Sequence, residues 1–314
     1  MTYAPTAIDL SRLPAPEAIE IISLEQLDAA YRERFLAEWA IQQELDATLP
    51  DFTEQGLATH PAIVVGRAWR YLRNLDRNRV NDGLKALLAP LSKGSNLDSL
   101  VAARNLARLT IAPATVNSEA VMEGDEALLR RFLLSFDVPS SGSAGRYLFD
   151  AWTAWPQSND RMLGLWDARV NGRSVHGRKG DTDVVLIGPY GRLPTTEELA
   201  TVRSVVTHPD RIPEAVGLSV LGAMRTEYQA SFVIEVPSSG PSPDLLKAEA
   251  IKRISDVATE RTKIGAEVPT GLLLGAAYGS GIIKVRDLSP IAISGDPYKV
   301  PVMTALTVDI EVRL

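Results

Sequence analysis

Residues Gly172 through Lys179, within the stretch VNGRSVHGRKGDTD, read G-x-x-x-x-G-R-K. A phosphate-cradling loop needs G-x-x-x-x-G-K-[ST]: the lysine directly after the second glycine reaches the phosphates, and the hydroxyl after it reaches magnesium. Here Arg178 displaces the lysine by one position, and Gly180 and Asp181 come next, the carboxylate repelling a phosphate. Such a loop also lies between a buried strand and a helix whose N-terminus faces the anion. The residues after Asp181 are instead TDVVLIG, a β-rich run. The expectation is a long strand–loop–strand connection with a basic tip that turns the chain around and takes no nucleotide.

The remaining candidates for chemistry are sparse. VPSSGSAG, residues 138–145, has the glycine and serine content of an anion-binding backbone nest. The same composition suits a connector between packed elements, and without a lysine the connector is the better reading. His60, His176 and His208 lie far apart, two of them before prolines, and none has the i, i+4 spacing of helical metal ligands. No cysteine is present, so thiolate chemistry and disulfides are excluded. No G-x-S-x-G elbow occurs, and spacing alone nominates no pair of carboxylates for acid–base work. The sequence therefore names no catalytic residue, no metal ligand and no cofactor.

Arg67, Arg70, Arg73, Arg77 and Arg79 recur at close intervals with Trp69 and Tyr71 interleaved. Arginines so spaced can line a helix and meet phosphates, or pair with acids on a neighbouring helix or subunit. A formal net charge of −6 favours the protein partner. A nucleic-acid-binding role for Arg67–Arg79 is the alternative of a different class.

These residues need elements to hold them. A chain of 314 residues with 45% hydrophobic content can build substantial cores and usually forms more than one domain. The opening residues lack a basic flank leading into an apolar run, so no signal peptide is expected, and no apolar stretch is long enough for a membrane span. Leu24, Leu27, Tyr31, Phe35 and Trp39 recur at threes and fours, predicting a helix with one apolar stripe. A second helix is expected from Pro61 towards Leu91, with Trp69, Leu72, Leu84, Leu87, Leu88 and Leu91 as candidate buried positions. A third is expected to open at Ser95, where Ser95-x-x-Asp98 resembles a capping box.

Beyond about residue 165 alternation takes over, as in Val216, Leu218, Val220, then Tyr228 to Val236, then the even positions from Val302 to Leu314. Helices starting near Pro194 and at Ser242-Pro243 separate these strands. The fold class is α+β, an N-terminal helical region followed by mixed strand and helix domains. The divisions expected are 1–115, helical and bundle-forming; 116–190, central with a long hairpin-like loop; and 191–314, closing.

The order of segments resembles the baseplate assembly protein J family of contractile-tailed phages. The likeness rests on AIDLSRLPAPEAIEIISLEQL, KGSNLDSLVAARNLARLTIAPA, EALLRRFLLSFDVPSSGSAGRYLFDAW and the stretch from YGRLPTTEELATVRSVV to YQASFVIEV. No single motif is specific; the series is, and it spans nearly the whole chain. The loop 171–182 is longer and more basic than the family pattern, and Leu163–Trp166 more apolar. The resemblance implies a structural wedge protein of the inner baseplate ring, one that surrounds the hub and spike and rearranges as the sheath contracts. It also implies partners: other copies of itself, a second wedge protein of the I type and a small lysozyme-like wedge protein. The place it implies is the virion tail, after synthesis in the bacterial cytoplasm. A bacteriocin-like particle or another contractile injection system would use a homologous wedge. Neither nucleic acid nor membrane is an expected partner. The stripe Leu24, Leu27, Tyr31, Phe35 and Trp39 is the expected protein interface; burying it would contribute about 10 kcal/mol before entropy costs.

Overall fold

The computed structural model describes residues 22–52, 60–158, 160 and 162–313. Most of AIDLSRLPAPEAIEIISLEQL, residues 7–27, the first stretch that carries the resemblance, lies outside the described residues. The chain divides between Ala107 and Arg108 into two compact units.

The first unit is helical: α1 spans Leu24–Leu45, α2 Pro61–Leu87 and α3 Gly94–Ala102. Ser23 starts α1 with a capping box, its hydroxyl accepting from Gln26 N at 3.2 Å while Gln26 Oε1 accepts from Ser23 N at 2.8 Å. His60 caps α2 through Nδ1, which accepts from Ala62 N at 3.2 Å, and Pro61 occupies the first turn, where its missing N–H is harmless. This helix stops at Leu88, short of Pro90, whose ring disfavours helical backbone in the residue before it. The capping box expected at Ser95 does not form. Lys93 is the N-cap of α3 with no side-chain cap, and Leu97 and Val101 are buried.

The second unit begins with two short strands, β1 (Thr110–Ala112) and β2 (Val121–Met122), paired antiparallel, then α4 (Asp125–Leu134) and α5 (Ala144–Ala154). Next come β3 (Asp167–Asn171), a single turn α6 (Arg173–His176), β4 (Asp181–Ile187), α7 (Thr196–Val206) and β5 (Gly217–Gly222). The chain continues through β6 (Met224–Pro237), α8 (Pro243–Arg261), α9 (Leu272–Ala277), β7 (Lys284–Asp287) and β8 (Lys299–Arg313).

Strands β3-β4-β5 form one sheet, β3 antiparallel and β5 parallel to β4, with α7 as the crossover. Strands β7-β6-β8 form another, β7 antiparallel and β8 parallel to β6. Helices α5 and α7 cover the first sheet through Tyr147, Ala151, Trp155, Val202 and Val206. Helices α8 and α9 cover the second, where Leu246, Ile254 and Leu273 meet Phe232, Ile234 and Val236. A third cluster of Val185, Ile187, Ala223, Ile264, Val300 and Val302 lies on the other face of β4. All four residues Val184–Ile187 are therefore fully buried, as expected of a central strand covered on both faces, and no alternation is visible there. The expected fold class holds: α+β with a helical start.

Candidate functional site

The loop between β3 and β4 turns Arg178 back on its own base. The two strands pair antiparallel from Asp167↔Ile187 to Asn171↔Asp183, and the chain turns between them through α6, ended by Gly177 in left-handed backbone at φ 78°. The strand–loop–strand expectation is met, with one helical turn added. Asp183 is almost fully buried and accepts from Arg178 Nη2 at 2.5 Å and from the Tyr298 hydroxyl at 2.6 Å, while Asp181 lies 3.3 Å from Arg178 Nε. His176 Nδ1 accepts from Arg178 N at 3.1 Å, so the other ring nitrogen donates to Asn171 O at 3.1 Å. Buried Asn171 donates on to Pro297 O at 2.8 Å. The arginine that displaces the lysine of a phosphate loop faces two carboxylates.

Burial, and after it the bond and charge of Asp183, push the Tyr298 phenol up to about 12. The phenol stays protonated and donating across neutral pH. A raised folded-state value means this contribution is whole below the ordinary tyrosine value and is lost as pH rises through about 12. Tyr298→Phe is expected to lower stability by about 1.5–3 kcal/mol at pH 7, since Asp183 loses a donor to a charged group. Urea unfolding at pH 7 checks it; a change below about 0.5 kcal/mol would show the bond to be dispensable.

Among the described residues, no group of three or more His, Cys, Asp or Glu could hold a metal. The described segment 138–145 is a connector: Ser143 caps α5 by accepting from Arg146 N at 3.1 Å, and Gly145 lies where a Cβ would come within 1.9 Å of the Asp137 carboxylate.

The α1–α2 hairpin carries both the apolar stripe and the arginine series expected from the sequence. Leu27 is buried, Tyr31, Phe35 and Trp39 are half-buried, and Leu24 is exposed. Most of the stripe turns inward on its own unit. The Tyr31 ring lies against Gly66, where a Cβ would come within 2.5 Å, and its hydroxyl donates to Ala62 O at 3.0 Å. Tyr31 stands 5.7 Å from Trp69, Phe35 4.7 Å from Phe52 edge-on, and Trp39 5.8 Å from Phe52. Trp39 Nε1 donates to Pro50 O at 3.1 Å. Of the arginine series, Arg70 forms an ion pair with Asp28 of α1 and Arg67 borders an open groove of about 600 Å³ beside Tyr31, Phe35 and Ile63.

The leucines of α2 depart from expectation. Trp69, Leu72, Leu87, Leu88 and Leu91 are all exposed, and Leu84 is half-buried; the buried residues of α2 are Gly66 and Asn81. Close approach of the two helices at Gly66 places the small residue inward and turns the bulky ones away. Val64, Leu72 and Leu75 are 51%, 60% and 46% exposed, and with Ala68 they repeat at four, four and three. That spacing puts them on one outward face of α2. Sequence reasoning passed over this face, although the spacing alone could have marked it. No described helix is long and apolar enough to cross a membrane.

Comparison with known proteins bears on what such surfaces meet. A family model described as the baseplate J-like N-terminal domain matches residues 59–115. Baseplate protein J of Escherichia phage P2 is 26% identical over 301 residues, covering 91% of each chain. Both agree with the resemblance carried by the order of segments.

Proposed function

We propose that this chain is a structural protein of a phage-tail baseplate: a wedge of the inner ring around the hub, which passes movement between hub and sheath through protein contacts. The observation that carries the reading is the likeness to Baseplate protein J of Escherichia phage P2 across 91% of both chains, through the helical unit and the α+β unit alike. In this reading residues 1–115 supply helices for assembly, 116–190 the central domain and 191–314 the closing domain. Its partners are further copies of itself, the I-type and lysozyme-like wedge proteins and the hub with its spike. It works in the virion tail baseplate after synthesis in the host cytoplasm. The chain's own residues support a scaffold through the apolar surface on the outside of α2.

Leu24, Leu27, Tyr31, Phe35 and Trp39 are proposed as part of the assembly surface, in the conformation that the α1–α2 hairpin gives them. Phe35→Asp with Trp39→Asp is expected to leave the α+β unit folded while abolishing co-elution with the other wedge proteins on a sizing column. Normal co-elution of the double variant would restrict the stripe to packing the hairpin.

A further inference from the structure

Each acid buried among the described residues of the α+β unit has a guanidinium beside it. Glu123 pairs with Arg131, Asp150 with Arg146 and Arg211, Asp183 with Arg178, and Glu198 with Arg192. Asp167, which opens the edge strand β3, departs from this pattern. It is partly buried, and among the described residues it forms no ion pair. Its Oδ2 accepts from Ile264 N at 2.8 Å. The cations that face it are engaged elsewhere or open to water. Arg130 of α4 lies over the Trp152 ring at 4.3 Å and 3.6 Å from Glu126, while Lys263 is exposed. Arg169, two residues along β3, donates through Nη1 to Ile264 O at 3.3 Å and through Nε to Asn171 Oδ1 at 3.2 Å.

This carboxylate stands where the loop between α8 and α9 meets the first sheet. Trp166 Nε1 donates to Thr262 O at 2.6 Å, and Ile264 joins the apolar cluster with Val185 and Ile187 of β4. Gly265, at φ 79°, passes so close to Arg169 that a Cβ would come within 2.0 Å of the guanidinium. Burial raises the Asp167 carboxyl above its ordinary range. Bonds from Ile264 N and Ala168 N and the charges of Lys263 and Arg130 act the other way without outweighing it. A raised folded-state value means this contribution to stability is whole below the ordinary aspartate value and is lost as pH rises through the raised range.

We propose that Asp167 makes the junction of β3 with residues 262–265 a latch, one that opens ahead of the core strand β4 while the carboxylate is ionised and tightens when it takes up a proton. An ionised carboxylate there has lost hydration with no cation bonded to it in exchange. A protonated carboxyl sheds that cost and keeps a carbonyl oxygen to accept from Ile264 N. The core under α5 and α7 and the core under α8 and α9 lie to either side of the junction. Each can stay packed while the loop between them lets go, as local openings do. The inference does not depend on the baseplate reading.

The test is hydrogen–deuterium exchange of the full chain, read by mass spectrometry on peptides covering residues 262–266 and 184–187. At about pH 7 the wild type is expected to exchange at 262–266 ahead of 184–187. Asp167→Asn keeps an acceptor and cannot ionise. It is expected to slow exchange at 262–266 by about threefold or more at about pH 7, and by less than about twofold at about pH 4. Comparing variant with wild type at one pH cancels the intrinsic pH dependence of exchange. Should circular dichroism show the variant unfolded, the wild type alone decides. Its exchange at 262–266 relative to 184–187 is expected to fall by about threefold between about pH 7 and pH 4. Exchange no slower in Asp167→Asn than in the wild type at neutral pH would overturn the proposal. So would an equal slowing at both pH values, or a wild-type ratio that holds constant or rises in acid.

Discussion

Replacing Asp150 with alanine is expected to destabilise the α+β unit by about 3–5 kcal/mol, the range for removing one partner from a buried ion pair. Asp150 is 1% exposed, and each of its oxygens meets a different guanidinium. Arg146, one turn earlier on α5, bonds one oxygen at 2.9 Å and also reaches Val138 O at 2.7 Å, while Arg211 bonds the other from the segment after α7. The carboxylate thus ties α5, the connector before it and the segment before β5. Without it, Arg146, itself only 20% exposed, stays desolvated with its charge uncompensated. Asp150→Asn retains an acceptor and is expected to lose less. Urea unfolding followed by tryptophan fluorescence reports it, since Trp152 and Trp155 lie on and directly after α5. A loss below about 1 kcal/mol for Asp150→Ala would mean that the arginines find water instead.

Leu72→Asp with Leu75→Asp is expected to have the largest effect on assembly for the smallest effect on folding. Both side chains are exposed on the outward face of α2 with Val64 and Ala68, so the isolated chain should keep its stability to within about 0.5 kcal/mol for each substitution. A partner packed there would have to bury two carboxylates, and co-elution with the wedge proteins should be lost. The contrast with Phe35→Asp and Trp39→Asp is informative, because those rings also hold Phe52 and the turn after α1. Loss of assembly in both pairs, with loss of helix stability only in the second, is the expected pattern. Assembly intact after Leu72→Asp with Leu75→Asp would remove the outward face of α2 from the interface.

The elements that sequence could reach were those decided by local chemistry. The near-miss at Gly172–Lys179 was legible as a turn because β-rich residues come after it. A helix start near Pro194 was legible, and there Thr195 and Glu198 form a full capping box, with Glu198 also held by Arg192. Burial alone would raise the Glu198 carboxyl, but the bonds from Arg192 and Thr195 outweigh it and hold the group below its usual value. Alternation in β6 marked Phe232, Ile234 and Val236 as core. What stayed hidden was decided at a distance. Gly66 faces Tyr31 across a hairpin, which reversed the assignment of the α2 leucines. Asp150 and Arg211 are 61 residues apart, and Asp183 and Tyr298 115. No spacing rule joins such pairs. β8 read correctly as a strand, but its parallel pairing with β6 depends on topology that alternation does not encode.

The central claim is that the chain acts as a built-in part of a tail baseplate. Quantitative peptide mass spectrometry of tail particles, purified from cells that produce this chain, tests it most directly. The account predicts the chain in fixed proportion to the other baseplate proteins, resisting removal by salt washes that strip loosely bound material. Intact tail particles that lack the chain, or carry it only in traces that wash away, would contradict it.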